Sequence, residues 1–345
     1  MAQRILTHSS QEEAQDWRRE FSQLVTQLDE LAALLDLDLT QLHSQVVLDR
    51  SFPLRVSHSF VSRMQPRNFN DPLLMQVLPL KREHEQIARF THDPLEEAQY
   101  RPMPGVIHKY ERRLLLVLGG LCAIHCRYCF RRHFPYSEQQ LSLQKLPEVL
   151  AYVEGHPQVN ELIFSGGDPL SLPIAKLREV TDALADLPQI TRLRVHTRLP
   201  IMMPACIDDA FISWTRSLCK PLVMVLHVNH MQEIDRHVCQ AVSRLQAEGI
   251  QLLNQSVLLK GINDQIDTLV ALSEGLFDLG VMPYYLHQLD PVTGAAHFEV
   301  TLDRAKAILF GMSRLLPGYL VPKLVTDIPG HPFKATHAAQ MERIE

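Results

Sequence analysis

The sequence predicts an α/β protein built as a partial TIM-like (β/α)6 barrel with a helical N-terminal portion. Two observations carry this prediction. From about residue 112, short apolar runs recur and longer amphipathic segments separate them, which is typical of βα units and a parallel sheet. Polar or special residues gather where the runs end, and the strand C-terminal ends of such a barrel hold its active site.

Seven apolar runs have the length and composition of buried strands. They are LLLVL from residue 114, ELIFS from 161, RLRVH from 192, LVMVLHV from 222, IQLLNQSVLL from 250, VMPYYLH from 281 and YLVPKLV from 319. Helical periodicity marks the intervening segments, among them IAKLREVTDALADL, EIDRHVCQAVSRLQAEG and TLDRAKAILFGMSRLL. Six or seven such repeats favour a full or partial barrel over a flat sheet.

Polar groups at the ends of these runs predict the mouth of the barrel. They are Ser165-Gly166-Gly167-Asp168, His196-Thr197-Arg198, His227-Val228-Asn229-His230, Asn254-Gln255-Ser256, His287-Gln288-Leu289-Asp290 and Asp327. Because parallel strands end at one face, we expect these residues to lie close together.

The chain divides into three predicted parts. Residues 1–100 form a helical N-terminal region, as the amphipathic stretch WRREFSQLVTQLDELAALLDLD indicates. The proline-bearing stretch HDPLEEAQYRPMPGVIHKY leads into the main domain, residues 101–337, and residues 338–345 form a short tail.

Composition narrows the class of function. The chain has 345 residues, 46% hydrophobic and 21% charged, and a formal net charge of −5. This charge gives no general attraction to nucleic acid or to an anionic membrane, so we expect neither partner and favour small-molecule chemistry. The N-terminal residues lack the apolar core of a secretory signal, and the sequence has no run long enough to span a bilayer, so we expect a cytoplasmic protein.

Three of the six cysteines lie within eight positions, as Cys122, Cys126 and Cys129. In the cytosol, clustered cysteines indicate metal ligands or catalytic thiols before disulfides. One alternative is a core stripe on one helix face, and another is a structural zinc site completed by His125 or His133. The third is an iron–sulfur cluster held by three thiolates, which leaves one iron open. Arginines 127, 131 and 132 surround the thiols and would favour thiolate.

The segment CAIHCRYC has the CxxxCxxC spacing of the radical S-adenosylmethionine (SAM) enzymes, which it resembles. The resemblance implies a [4Fe–4S] cluster on the three cysteines, with SAM bound at the open iron. It also implies a partial TIM-like barrel. SGGDP, from Ser165 through Gly166, Gly167 and Asp168, resembles the glycine-rich motif that contacts SAM in this superfamily.

A second motif makes the resemblance narrower. DIPGHPFKATH, residues 327 to 337, together with CxxxCxxCxRR resembles the lysine 2,3-aminomutase family. The resemblance implies that Lys334 holds pyridoxal 5′-phosphate (PLP) as a Schiff base. HKYERR is similar to a further family segment, so Tyr110 would pack on PLP while Lys109 and Arg113 approach its phosphate.

The same resemblance assigns contacts to SAM and to the substrate. LHVNH and NQSVLLKGIND are similar to family segments, which makes His227 and Gln255 candidates to contact SAM. Arg131 would grip the substrate carboxylate as a bidentate guanidinium. Asp290 and Asp327 would bind the ε-ammonium of lysine, and this pair of carboxylates disfavours a neutral or acidic side chain.

The implied reaction converts α-lysine to β-lysine. A 5′-deoxyadenosyl radical takes hydrogen from C3 of lysine joined to PLP as an external aldimine, and nitrogen then moves from C2 to C3. The chain resembles the short bacterial form that supplies β-lysine for modifying translation elongation factor P, so the implied partners are lysine, that factor with its lysyl ligase, and an electron donor such as flavodoxin or ferredoxin.

Three alternatives stay open on the residues alone. They are an aminomutase for another amino acid, a radical SAM enzyme without PLP, and a non-enzymatic zinc module. The scattered Cys206, Cys219 and Cys239 are expected to be ordinary buried residues.

Overall fold

The protein is described from a computed structural model that covers residues 17–47 and 49–339. Residues 1–16 of the predicted N-terminal region and residues 340–345 of the predicted tail lie outside the described residues. Within the described ranges, no helix is both long and apolar enough to cross a membrane.

One nine-stranded sheet organises the described chain, and its strands lie in sequence order. The strands are β1 Val106–Tyr110, β2 Arg113–Gly119, β3 Glu161–Gly166, β4 Arg192–Thr197, β5 Leu222–Leu226, β6 Gln251–Val257, β7 Met282–His287, β8 Lys323–Thr326 and β9 Ala335–His337. From β2 to β8 all neighbours pair in parallel, whereas β1 and β9 pair antiparallel at the two edges. All seven predicted runs are therefore parallel strands.

Helices connect the parallel strands and cover the sheet. They are α5 Leu146–Glu154, α6 Ile174–Ala185, α7 Leu199–Met202, α8 Asp209–Arg216, α9 Arg236–Ala247, α10 Ile266–Asp278 and α11 Leu302–Leu315. Each connection between successive parallel strands contains at least one of them, so six crossovers join seven strands. The predicted α/β class and partial TIM-like (β/α)6 barrel are confirmed.

The described residues that precede β1, from residue 17 onwards, pack directly on the barrel. Residues 17–22 are helical, and α1 Leu28–Leu35, α2 Leu39–Gln45 and α3 His58–Val61 follow, with α4 Tyr136–Gln139 later in the chain. Buried side chains from this region belong to the same hydrophobic core as those of the strands. The division of the chain at residue 100 stays a prediction.

Side chains, not backbone hydrogen bonds, bring the two edges of the sheet together. Lys109 of β1 places its Nζ 2.5 Å from Oδ1 of Asp327, which follows β8. Tyr110 Oη lies 3.2 Å from Oδ2 of the same aspartate. The sheet thus curls into a barrel whose seam is bridged at the strand ends that form the site.

Candidate active site

One cavity of about 490 Å³ opens at the C-terminal ends of the parallel strands. All of the predicted site residues line it: Lys109, Tyr110, Arg113, Cys122, Cys126, Cys129, Arg131, Ser165, Gly166, Gly167, Asp168, His227, Gln255, Asp290, Asp327 and Lys334. Its volume is in the range of small-molecule and cofactor sites. The structure therefore brings these residues together, while the role of each stays a prediction.

The three clustered cysteines lie in a loop after β2 that forms turns instead of a helix. Cys129 N donates to Cys126 O at 2.9 Å, which folds the loop back on itself. The alternative in which the cysteines share one helix face is wrong. Gly120 starts this loop under the Tyr136 ring, where an added Cβ would lie 2.6 Å from Tyr136 Cβ.

The two histidines considered as a fourth zinc ligand are engaged elsewhere. The Nδ1 atom of His125 lies 2.8 Å from Pro53 O, and its ring stacks on Phe52. The ring of His133 stacks on His92. Within residues 17–47 and 49–339, no three His, Cys, Asp or Glu side chains are placed to share a single metal ion. An iron–sulfur cluster differs, because each thiolate binds its own iron atom.

Burial opposes ionisation of two of the three clustered thiols, Cys122 and Cys129. It raises the pKa of Cys122 well above the usual range and that of Cys129 to about 11. Arg131 and Arg132 lower the pKa of Cys129, as predicted, but burial outweighs them. Binding a cluster therefore releases protons from these thiols.

Each arginine of the cysteine loop meets a buried carboxylate that sequence reasoning missed. Arg127 and Arg132 both bind Glu83, at 2.6 and 2.8 Å. Arg131 binds Glu97 through two parallel hydrogen bonds, Nε to Oε2 at 2.8 Å and Nη2 to Oε1 at 2.7 Å. Glu83 and Glu97 precede the barrel and carry no motif.

This pairing changes how Arg131 would bind a substrate. Its Nε–Nη2 edge, the fork that suits a planar carboxylate, is occupied by Glu97. Nη1 donates to Ser165 Oγ at 3.1 Å. Because a guanidinium carries five N–H groups, two remain on Nη1 and Nη2, and the side chain still lines the cavity. The outer edge of the guanidinium, formed by Nη1 and Nη2, is therefore the part of Arg131 that can make the predicted contact with a substrate carboxylate.

The glycines of SGGDP let the β3 loop lie against the start of the cysteine loop. Gly166 has a φ of +126°, and a Cβ there would lie 2.4 Å from Gly119 O. A Cβ on Gly167 would lie 2.6 Å from Leu121 O. Both positions therefore exclude any side chain.

Asp168 faces protein donors more than the cavity. Its carboxylate accepts from Thr197 Oγ1 at 2.7 Å and from the backbone N–H groups of Arg198 and Leu199 at 2.7 and 2.9 Å. Burial raises its pKa to about 6. The side chain predicted to contact SAM thus links the loop after β3 to the loop after β4 through hydrogen bonds.

The opposite end of the cavity is organised by Asp327. This carboxylate forms ion pairs with both Lys109 and Lys334. The β8–β9 hairpin explains the second contact, since Thr326 pairs with Ala335 and so sets Asp327 beside Lys334. Lys109, predicted to approach the PLP phosphate, is held by Asp327, while the Arg113 guanidinium lies 4.3 Å from the centre of the Tyr110 ring.

Asp290 lies near this ion-paired group. Burial raises its pKa to about 7, although Lys334 lowers it. The two predicted ammonium ligands therefore differ in their pKa. The ion pairs that Asp327 forms with two lysines keep its pKa below its usual value despite burial.

Half-buried histidines line the wall between the two ends. His227 Nε2 lies 2.9 Å from Tyr128 Oη, and burial lowers its pKa well below the usual range. His287 behaves similarly, with a pKa of about 3. His196 Nε2 is buried and has no protein hydrogen-bond partner among the described residues. These neutral rings offer hydrogen bonds to a bound molecule.

Comparison with known proteins decides the family. Residues 116–211 match the Radical SAM superfamily model. The chain is 45% identical to L-lysine 2,3-aminomutase of Escherichia coli (strain K12), over 95% of this chain and 96% of that protein. It is 40% identical to the Haemophilus influenzae (strain ATCC 51907 / DSM 11121 / KW20 / Rd) protein of the same name, over 94% and 96%.

The chain belongs to the L-lysine 2,3-aminomutase family. Some relatives are longer than this chain. The chain is 29% identical to L-lysine 2,3-aminomutase of Clostridium subterminale, over 91% of this chain and 76% of that protein. The family relationship implies a [4Fe–4S] cluster, SAM and PLP as cofactors, as predicted.

The cavity fits these three groups in this family member. Three thiols on a turn-forming loop suit a cluster that keeps one iron open. Lys334 lies at the other end, near an aromatic ring and the Arg113 cation, which suit an aromatic phosphate ester. His196, whose Nε2 has no hydrogen-bond partner in the part of the chain that the structure describes, also lines this cavity.

Proposed function

We propose that this chain is an L-lysine 2,3-aminomutase, which moves the amino group of lysine from C2 to C3 and so forms β-lysine. Membership of the family supports the reaction type. The observation that carries the substrate assignment is the pair Asp290 and Asp327, which line one end of a cavity whose other end holds the cysteine loop.

In the proposed complex, the cluster with SAM supplies a hydrogen-abstracting radical, and PLP supplies a π-system that allows nitrogen to migrate. Cys122, Cys126 and Cys129 hold the cluster. The backbone of Ser165 to Gly167, with His227 and Gln255, contacts SAM. Lys334 holds PLP, Tyr110 packs on it, and Arg113 with Lys109 approaches its phosphate.

The substrate is fixed at its two charged ends. The outer edge of Arg131 binds the carboxylate, and Asp290 and Asp327 bind the ε-ammonium through charge-assisted hydrogen bonds. Holding both ends orients C3 towards the radical source.

Two finer assignments belong to the same proposal. The enzyme works in the cytoplasm with a small reductant of the flavodoxin or ferredoxin type. Its β-lysine serves the lysyl ligase that modifies translation elongation factor P, as the resemblance to the short bacterial form implies. Incubating elongation factor P and the ligase with the reaction product and weighing the factor by mass spectrometry tests this link.

The activity is tested by anaerobic reconstitution with iron, sulfide and PLP, followed by incubation with SAM, dithionite and labelled lysine. Chiral analysis of the product shows both reaction and stereochemistry. We expect β-lysine from lysine and none from norleucine, which lacks the ammonium. Rapid turnover of norleucine would contradict the substrate assignment, and iron-loaded, PLP-loaded protein without any product would contradict the reaction.

A variant pair sharpens the substrate test. Asp290→Asn with Asp327→Asn should weaken the preference for lysine over norleucine, whereas Asp182→Asn, an exposed aspartate of α6, should leave it unchanged. Unchanged preference in the double variant would point to an aminomutase for another amino acid.

A further inference from the structure

Arg198, the first residue after β4, reaches the cysteine loop. Its Nη1 lies 2.9 Å from Sγ of Cys126, in hydrogen-bond geometry. The side chain is only 7% exposed, so water does not screen the contact. Arg198 thus places a cation beside Cys126, a predicted cluster ligand. Arg198 follows β4, whereas the loop that carries the cysteines follows β2.

Buried partners hold the guanidinium from the other side. Nη1 also donates to Tyr128 Oη at 2.7 Å, and Nη2 donates to Gln76 Oε1 at 2.7 Å and to Glu233 Oε2 at 2.9 Å. Gln76 and Glu233 are fully buried. A network in which these partners are fixed rigidifies the donor that faces the sulfur.

The backbone of Arg198 is fixed as well. Its N–H donates to Asp168 Oδ2 at 2.7 Å, and Asp168 ends the glycine-rich loop of β3. The loop that is predicted to contact SAM and the donor to Cys126 are therefore tied through one carboxylate. This arrangement sets the guanidinium relative to both parts of the site.

We propose that Arg198 is a positioning residue that hydrogen-bonds the Cys126 thiolate and raises the reduction potential of the [4Fe–4S] cluster. Reduction adds negative charge to the cluster and its sulfurs, so a donor and a cation beside one sulfur stabilise the reduced state more than the oxidised state. Glu233 offsets part of the positive charge, which leaves the hydrogen bond as the larger effect. The inference rests on the proposed role of the three cysteines.

The test measures the midpoint potential by anaerobic titration followed by electron paramagnetic resonance, after iron and sulfide analysis of each protein. We expect Arg198→Gln to have a lower potential than the wild type, and Arg198→Lys, which keeps the charge, to lie between them. Arg198→Gln combined with Glu233→Gln removes the negative charge that the single variant leaves buried, and its potential should still lie below that of the wild type because the sulfur hydrogen bond is lost.

Arg63→Gln is the matched control. Arg63 is buried like Arg198, its guanidinium also lies over the Phe60 ring, and it contacts the Glu233 backbone, but its side chain donates to carbonyl oxygens. A general disturbance of the network would change both arginine variants, whereas a sulfur hydrogen bond predicts an unchanged potential in Arg63→Gln.

A measurement on the wild type covers the case in which the variants fail to load a cluster. Protein labelled with guanidino-¹⁵N arginine should show a ¹⁵N coupling to the reduced cluster in pulsed resonance spectra. Absence of that coupling, or equal potentials in loaded wild type and Arg198→Gln, would overturn the inference alone. Wild type that binds no iron or sulfide would overturn the cysteine assignment and the inference together.

Discussion

The two ends of the cavity balance their charges in different ways. At the cysteine end, the arginines meet buried carboxylates of the protein itself: Arg127 and Arg132 with Glu83, Arg131 with Glu97, and Arg198 with Glu233. At the lysine end, the single carboxylate of Asp327 serves both Lys109 and Lys334.

The difference separates a fixed region from a responsive one. Buried arginine–carboxylate ion pairs at the cysteine end resist rearrangement, which suits a cluster that must keep its geometry during electron transfer. At the lysine end, the carboxylate of Asp290 has no ion-pair partner among the described residues and a pKa near neutrality, so a bound ligand that carries a cation would pair with it. Variants at each end therefore give different responses.

The largest effect is expected where a cluster ligand is removed. Cys126→Ser replaces a thiolate by a hydroxyl, a poor iron ligand, so the variant should lose its iron and all activity. Iron and sulfide analysis after anaerobic reconstitution measures this. Cys219→Ser is the control and should keep full iron, since Cys219 is exposed, and the prediction that it is buried is wrong. Full iron in Cys126→Ser would refute the ligand assignment.

Loss of activity at the lysine end should leave the cluster intact. Lys334→Ala removes the amine that would hold PLP, so the visible absorbance of bound PLP and the aminomutase activity should disappear while the iron content stays unchanged. Lys323→Ala, an exposed lysine on β8, should retain both. If Lys334→Ala binds PLP with the same absorbance as the wild type, the lysine assignment fails.

Breaking a pair at the fixed end should cost stability. Glu97→Gln leaves the buried Arg131 without its counter-charge, and we expect a loss of about 3 kcal/mol in the free energy of unfolding. The matched control is Glu299→Gln, which breaks an Arg–Glu pair whose arginine is 61% exposed and should cost less than about 1 kcal/mol. Urea unfolding measures both, and equal losses would show that the cysteine end is not specially fixed.

A smaller and pH-dependent effect is expected at Asp290. Since its pKa is raised to about 7, the carboxylate that binds ammonium forms only as the pH rises through neutrality, so lysine affinity should increase between pH 6 and 8. Asp290→Asn should weaken lysine binding at pH 8 by about ten- to a hundredfold, the worth of a charged hydrogen bond, and should flatten the pH dependence. Calorimetric titration with lysine checks both.

The same group has the opposite effect on stability. Folded protein keeps the Asp290 proton at pH values where the unfolded chain, with a pKa of 3.8, has lost it, so this group makes the folded state less stable as the pH rises from about 4 towards about 7. Asp290→Asn should therefore raise the melting temperature at pH 8. A lower melting temperature would contradict the buried, unpaired carboxylate.

Local pattern explains what the sequence could predict. The seven parallel strands follow from apolar runs, and the cysteine loop, the SGGDP turn and the Lys334 segment each form a contiguous motif. The predicted site residues of these motifs line one cavity because parallel strands end at one face. The edge strands β1 and β9 were missed, since one lies in a proline-bearing stretch and the other has three residues.

Tertiary pairing explains what was missed. Glu97 lies 34 residues from Arg131, and Gln76 lies 157 residues from Glu233, so no spacing rule links them. Charge in a proline-rich connection is normally solvated, and only packing on the barrel buries it. The motif CxxxCxxCxRR therefore could not predict that Glu97 occupies the Nε–Nη2 edge of Arg131.

The seam between Lys109 and Asp327 gives the barrel an unusual property. A closed backbone ladder would fix the circumference of the mouth, whereas here the closing link is the carboxylate that also contacts Lys334 and is proposed to bind the substrate. The carboxylate that bridges the two edges of the sheet is thus also the one that the substrate is proposed to contact. Substrate binding at Asp327 would therefore compete with the link to Lys109 across the seam.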